Sequence, residues 1–238
     1  MADDSEFLES YDPSVFDRPS LATDVVVLTA SGGALRVVLV RRTGRPELGQ
    51  WALPGTFVGL DEGLDAAARR ALEAKAGLRD VFVEQLYTFG RPDRDPRHRV
   101  VSVAHYALVP PGRLALAPGA ALAEVRVPWE GEAGGPVELW VDGEPVGLAF
   151  DHADIVATAV LRIRGKLDYT PIGFELLGPA FTLRQLRLLH QTILGQALNK
   201  DSFRRRVLAT GLVEATGERQ TDVGHRPAAL YRYRQRGG

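Results

Sequence analysis

The sequence predicts an α+β chain of two domains, and three observations carry that prediction. β-Branched runs and single helical stretches alternate through the first two-thirds; a helix, a glycine turn and a second helix follow near the C-terminus; and charge divides the two parts. Residues 1–157 hold 15 Lys and Arg against 24 Asp and Glu, a net −9, whereas residues 158–238 hold 14 against 6, a net +8. A basic terminal segment on an acidic body is the pattern expected when one domain alone touches a polyanion. With 238 residues and 45% hydrophobic content, the chain can bury one large core or two smaller ones. It has no cysteine, which excludes disulfides, thiolate zinc sites and a cysteine nucleophile. No apolar run approaches the roughly 18 residues of a membrane span, and the opening MADDSEFLESYD is acidic where a signal peptide is basic. The expectation is a soluble, cytoplasmic protein.

In chain order, residues 1–20 are polar and proline-bearing and are expected to form a loose arm. DVVVLT (24–29) and LRVVLVR (35–41) read as two strands of a hairpin around Ser31, Gly32 and Gly33. Residues 64–76 are alanine-rich and helical, with Asp61 to Gly63 at their start and Gly77 as the C-cap. Strands are expected over 81–87 and 100–109, separated by the charged loop RPDRDPRHR (91–99). Residues 111–148 are rich in Gly and Pro, interrupted by a strand at 137–141 and a turn at Asp142-Gly143. Asp151 is expected to cap a helix to about Arg164, whose apolar positions Ile155, Val156, Ala159, Val160 and Ile163 follow helical spacing. A linker is placed near 165–179.

GTFVGLDE (55–62) followed by RALEAKAGL (70–78) resembles the loop-helix-loop box of the Nudix hydrolases. Glu62, Arg70, Leu72, Gly77 and Leu78 fall in register with that box, and Gly55 stands one residue ahead of its first glycine. The approach WALPG (51–55) is also similar, so the resemblance covers about residues 20–165 and implies an α/β/α mixed-sheet domain. It implies divalent ions too, held by a glutamate after the box arginine and an adjacent glutamate pair. Here those positions are Ala71, Ala74 and Lys75. Magnesium requires hard oxygen ligands, which methyl groups do not supply, and an ammonium repels it. The expectation is a domain that binds without hydrolysing. Glu62 and Arg70 remain, readable either as a binding pair or as a helix-to-loop salt bridge.

A Nudix-like cavity without metal still suits a nucleotide-like ligand. Arg91, Arg94, Arg97 and Arg99 are the first candidates to clamp its phosphates, with Asp93 and Asp95 fixing their geometry. Arg41 and Arg42 at the end of the second strand, and Glu62, complete the candidate ligand set. The histidines at 98, 105, 152, 190 and 225 have no metal-site spacing, and no G-x-S-x-G elbow is present for a serine hydrolase.

TLRQLRLLHQTIL (182–194) is an amphipathic helix with Thr182 as N-cap and Leu183, Leu186, Leu189, His190 and Ile193 along its inner face. Gly195 ends it, and Asn199 caps a second helix over 200–210, giving a helix-turn-helix. At about 100° per residue, Phe203 and Val207 point inward, so Arg205 points outward, with Ser202 and Ala209 next and Arg204 and Arg206 flanking. Two strands, 212–215 and 229–234, make a wing. Arg205 and Ser202 are candidates for base edges; Lys200, Arg204, Arg206, Arg219 and Arg226 are candidates for phosphates.

FTLRQLRLLHQTILG, FRRRVLATGLVEATGE and HRPAALYRYR are similar in order and spacing to the winged helix of the Nudix-related transcriptional regulators, which join a Nudix-like sensor to such a domain. Together with the arm read at 1–20, that resemblance implies a ligand-sensing domain (21–165), and a linker with a winged helix (166–238). It implies a repressor of NAD-biosynthesis genes with ADP-ribose or a related nucleotide as effector and no cofactor. The expected partner is a palindromic double-stranded DNA operator bound by a homodimer, because one winged helix reads only a few base pairs. The rival readings are a Nudix hydrolase working through Glu62 and Asp61, and a winged-helix RNA or protein adaptor.

Overall fold

The computed structural model describes residues 4–31, 34–129, 133–167, 174, 176–177, 179–221 and 227–234. Its elements run α1 (Asp4–Ser10), β1 (Ser20–Ser31), β2 (Ala34–Arg41), β3 (Trp51–Ala52), β4 (Gly55–Phe57), α2 (Leu64–Ala76), β5 (Glu84–Phe89) and β6 (Val100–Leu108). They continue with β7 (Ala120–Arg126), β8 (Glu138–Val141), β9 (Glu144–Val146), α3 (His152–Lys166), α4 (Leu183–Leu194), α5 (Lys200–Ala209), β10 (Val213–Arg219) and β11 (Ala229–Tyr233).

Nine strands form one mixed sheet whose main path runs β5-β6-β1-β2-β7-β8-β9, with β3 on β2 and β4 on β1. β1 pairs antiparallel with β2, Leu28 opposite Val37, and parallel with β6, Val26 opposite Tyr106. Strand side chains alternate between faces, so β1 serves two cores at once. Val26 and Leu28 join Val37 and Leu39 beneath α3, while Val25 and Val27 join Val38 beneath Ala68 and Leu72 of α2. The continuous apolar run of β1 follows from burial on both sides. Truncating fully buried Leu28 to alanine removes about 2–5 kcal/mol of stability.

α2 spans the expected residues, and Gly77 closes it at φ 72°, its N–H donating to the carbonyls of Leu72 and Glu73. Its N-cap is Gly63, with no side-chain cap bond from the acidic residues before it. Several boundaries move. β1 reaches from Ser20 to Ser31 because Arg99 and β6 pair with its early part. β5 starts at Glu84 instead of Val81, and α3 runs on to Lys166. The arm is not wholly loose, since residues 4–10 form a helix that buries nothing. β7 was not foreseen: AALAEVR has few β-branched residues, yet it lies against β2, where Ala123 and Val125 enter the core. The predicted turn residues Gly32 and Gly33, and much of the predicted linker, lie outside the described residues.

In the C-terminal unit, the Thr182 hydroxyl accepts from Gln185 N at 3.1 Å and the Gln185 side chain accepts from Thr182 N at 2.8 Å, a complete capping box. Gly195 ends α4 at φ 65°. Asn199 Oδ1 accepts from the backbone N–H groups of Asp201 and Ser202 at 3.0 Å each and starts α5. The β10–β11 ribbon forms the wing, and β10 runs to Arg219, past the predicted Ala215. Phe181, Leu186, Phe203, Val207, Val213 and Tyr231 close a separate small core.

α4 belongs to both units. Its Leu186 lies in the winged-helix core, whereas its Leu189 and Ile193, one and two turns on, lie in the core of the sheet domain with Ile163 and Val160 of α3. Arg164 of α3 donates to the carbonyls of Trp129 and Leu194, tying the end of α4 to the sheet domain. Among the described residues no helix is long and apolar enough to cross a membrane.

Candidate ligand cavity and nucleic-acid face

A cavity of about 550 Å³ opens beside the Nudix-like loop, floored by β1, β3 and β4 and walled by the end of α2, the 41–45 segment and the 94–97 segment. β4 must approach β1 closely: a Cβ on Gly55 would meet Asp24 Oδ1 at 2.1 Å and Thr23 O at 2.9 Å. Glycine alone fits there.

Buried polar groups organise the floor. Arg94, only 6% exposed, donates to both Asp151 oxygens from Nε (2.9 Å) and Nη2 (2.7 Å), and its Nη2 lies 3.4 Å from Asp24 Oδ2. Ser102 Oγ donates to the same Asp24 oxygen at 2.7 Å. Burial disfavours the Arg94 charge, but Asp151 and Asp24 outweigh it and raise the pKa. His152 Nδ1 accepts the Leu53 N–H at 2.9 Å, which puts the ring proton on Nε2, 3.5 Å from Asp24 Oδ1. Burial pushes the His152 pKa down, so it stays neutral near pH 7. Asp151 sits at the N-cap position of α3 as expected, but its carboxylate caps nothing because Arg94 takes it.

The structure divides the candidate ligand residues. Arg97 and Arg41 line the cavity. Arg97 is held bidentately by Asp95, at 2.9 and 2.6 Å, which raises its pKa and lowers that of Asp95. Arg94 also lines the cavity, but its hydrogen bonds are spent on Asp24 and Asp151. Arg91 and Arg99 do not line it: Arg91 lies 3.5 Å from Asp93, and Arg99 donates to the Arg91 carbonyl at 3.0 Å. The loop closes on itself there, away from the cavity lining. Glu62 lies apart from the lining as well. It accepts from Arg70 and from Gly59 N, both of which lower its pKa, and it does not line the cavity. Arg70 also donates to Thr56 Oγ1 and Phe57 O, so the Glu62–Arg70 pair ties the loop to α2.

Sequence reasoning missed Arg45, Lys75 and the aromatic rings of Phe57 and Phe150, all of which line the cavity. Arg42, a candidate from the sequence that also lines the cavity, stacks over Phe150 at 4.6 Å and donates to Pro46 O at 2.8 Å. Arg41 lies over Trp51 at 3.9 Å and donates to Gly49 O at 2.7 Å. Lys75, read from the sequence as an ammonium that repels a divalent ion, donates from Nζ to Gly55 O. Burial among the walls pushes the Lys75 pKa down, Asp24 opposes that, and Arg42 and Arg70 add to it.

The residues at the family's metal positions do not fit a divalent ion. Ala71 is buried, Ala74 presents a methyl group to the cavity, and Lys75 presents an ammonium. Among the described residues no group of three or more His, Cys, Asp or Glu is placed to hold a metal.

On α5, Phe203 and Val207 are buried while Lys200, Ser202, Arg204, Arg205 and Arg206 are exposed, as helical spacing predicts. Arg206 lies 5.8 Å over the Phe203 ring. Arg219 is exposed on β10 and donates to Pro227 O at 3.1 Å. Arg226 lies outside the described residues.

Comparisons with known proteins follow this division. The NUDIX domain model matches residues 18–133, and the NrtR DNA-binding winged helix domain model matches residues 173–233. The chain is 34% identical over 232 residues to the ADPR responsive transcriptional repressor NtrR of Acinetobacter baylyi, covering 95% of this chain and 87% of that protein. Shewanella oneidensis NrtR, crystallised with a 27mer DNA, superposes with a TM-score of 0.72 at 31% identity, covering 90% of this chain and 93% of that one. The NUDIX domain of the same Shewanella protein, crystallised with ADP-ribose, superposes at a TM-score of 0.53 and 30% identity, covering 68% of this chain and 99% of that one. With a relative of that identity spanning nearly its whole length, this chain belongs to the NrtR family of Nudix-related transcriptional regulators.

Proposed function

We propose that this chain is a transcriptional repressor that binds DNA through α5 and the wing, and that ADP-ribose held intact in the sheet-domain cavity controls that binding. The observation that carries the reading is the dual membership of α4. Leu189 and Ile193 are packed into the cavity-bearing domain and Leu186 into the DNA-facing one, so a shift of one core is felt by the other. The Acinetobacter and Shewanella relatives support both the effector and the DNA.

In the cavity, Arg41, Arg42, Arg45 and Arg97 suit the diphosphate, and Phe57 and Phe150 offer faces to the base. With Ala71, Ala74 and Lys75 in the metal positions, the ligand is retained without hydrolysis. The protein acts in the cytoplasm as a homodimer on a palindromic operator, with Arg205 and Ser202 toward base edges. Lys200, Arg204, Arg206 and Arg219 face phosphates.

The test has two parts. A genomic fragment retained against excess competitor DNA should be released by added ADP-ribose, with the ADP-ribose recovered unchanged. Magnesium-dependent turnover of ADP-ribose that disappears in Glu62→Gln would instead make the sheet domain an enzyme.

A further inference from the structure

We propose that Lys75 is a diphosphate-binding residue that supplies, from within the chain, the positive charge a divalent ion supplies in Nudix hydrolases, so that the effector binds without metal. The inference rests on the reading that ADP-ribose occupies the cavity.

Lys75 lies in the last turn of α2, on the stretch where the family pattern places adjacent glutamates. Its side chain crosses to β4 and donates to the Gly55 carbonyl, and both residues line the cavity. An ammonium has three donors and no acceptor, so one bond to a neutral carbonyl leaves two N–H groups for a ligand. A lysine is a compact point charge of the kind that serves phosphates elsewhere.

The carboxylates nearby are already committed. Asp24 accepts from Ser102 and faces Arg94, and Asp95 is held by Arg97. Arg41 and Arg42 spend their bonds on carbonyls, which leaves their charges uncancelled as well. The cavity is therefore cationic with Lys75 beside the Nudix-like loop, and an anion bridging Lys75 and the 41–45 segment would meet no free carboxylate among the described residues. A magnesium ion at the same place would meet the ammonium and the Ala74 methyl group, with the Gly55 carbonyl already taken by Lys75. Lys75 thus works against a metal and for the metal's anionic partner.

Calorimetry on the full chain decides the matter, with ADP-ribose titrated in EDTA and in excess magnesium. Wild-type protein should bind equally well in both. Lys75→Ala should weaken ADP-ribose about tenfold or more, the loss expected for one charge-assisted hydrogen bond, while leaving the affinity for phosphate-free adenosine unchanged. Lys75→Arg should recover most of the loss. Binding that requires magnesium, or a folded Lys75→Ala protein with wild-type affinity, overturns the inference and leaves the proposed function standing. If Lys75→Ala does not fold, the wild-type metal arms and Lys75→Arg still decide. Absence of ADP-ribose binding in both buffers would overturn the proposed function, and this inference with it.

Discussion

The 91–99 loop and helix α5 each carry four basic residues, Arg91, Arg94, Arg97 and Arg99 in one and Lys200, Arg204, Arg205 and Arg206 in the other. Their surroundings differ. Three of the loop arginines face carboxylates: Arg91 faces Asp93, Arg97 is held by Asp95, and Arg94 is locked between Asp24 and Asp151 from distant strands and turns. On α5 the exposed Arg204 and Arg205 have no carboxylate within salt-bridge distance among the described residues. Arginine density alone therefore says little about ligands. What matters is whether acids are interleaved with the arginines, as at Asp93 and Asp95, or whether the charges are left to solvent.

The largest effect should come from the locked arginine. Arg94→Ala leaves Asp24 and Asp151 buried without their cation, and urea denaturation should show a loss of about 3–5 kcal/mol. Arg205→Ala should leave stability within about 0.5 kcal/mol of wild type, as for an exposed surface site. Equal stability losses in the two variants would erase the contrast.

Next in size is the effect on DNA. On the proposed reading, in which the exposed Arg205 reaches a base edge, Arg205→Ala should cost about 1–3 kcal/mol on the operator and relax preference at one base pair per half-site, as for a guanidinium that can pair with guanine O6 and N7. Arg204→Ala should weaken specific and random duplexes alike and reduce the salt dependence by about one unit. Filter binding across a salt series separates the two classes. If Arg205→Ala weakened every duplex equally, the wing rather than α5 would be reading the sequence.

The smallest effect is a pH slope from the cavity floor. His152 has its folded pKa pushed below its ordinary 6.5 by burial, so the unfolded chain binds the extra proton first as pH falls. Stability should therefore drop as pH falls through 6.5 toward the lower folded value, and melting curves of His152→Asn should show a shallower slope over that window. A variant with the wild-type slope would mean that His152 does not titrate differently in the two states.

Local chemistry made much of this fold legible in advance. Gly77, Thr182 with Gln185, Gly195 and Asn199 mark helix ends through their own backbone and side-chain bonds, and the α5 face followed from the spacing of Phe203 and Val207. The candidate site was legible only in part. The Arg94 network joins residues 70 and 57 positions away in sequence, so no local pattern shows that Asp24 and Asp151 are the partners of Arg94. Glu62 fitted the motif but is consumed by Arg70 and Gly59. Arg45 and Lys75 reach the cavity only because β3 and β4 pair with β2 and β1 and carry their flanking segments to one place. β7 was hidden by alanines that form a strand because β2 offers them an edge.

The central claim is that α4 couples the cavity to the DNA face, and coupling of this kind is reciprocal. The direct measurement is the calorimetric affinity of ADP-ribose for the free protein and for protein saturated with its operator. Coupling predicts that DNA weakens ADP-ribose by the same factor by which ADP-ribose weakens DNA. Identical ADP-ribose affinity in the two states would contradict it, because the cavity and α5 would then be independent sites that share a helix without sharing free energy.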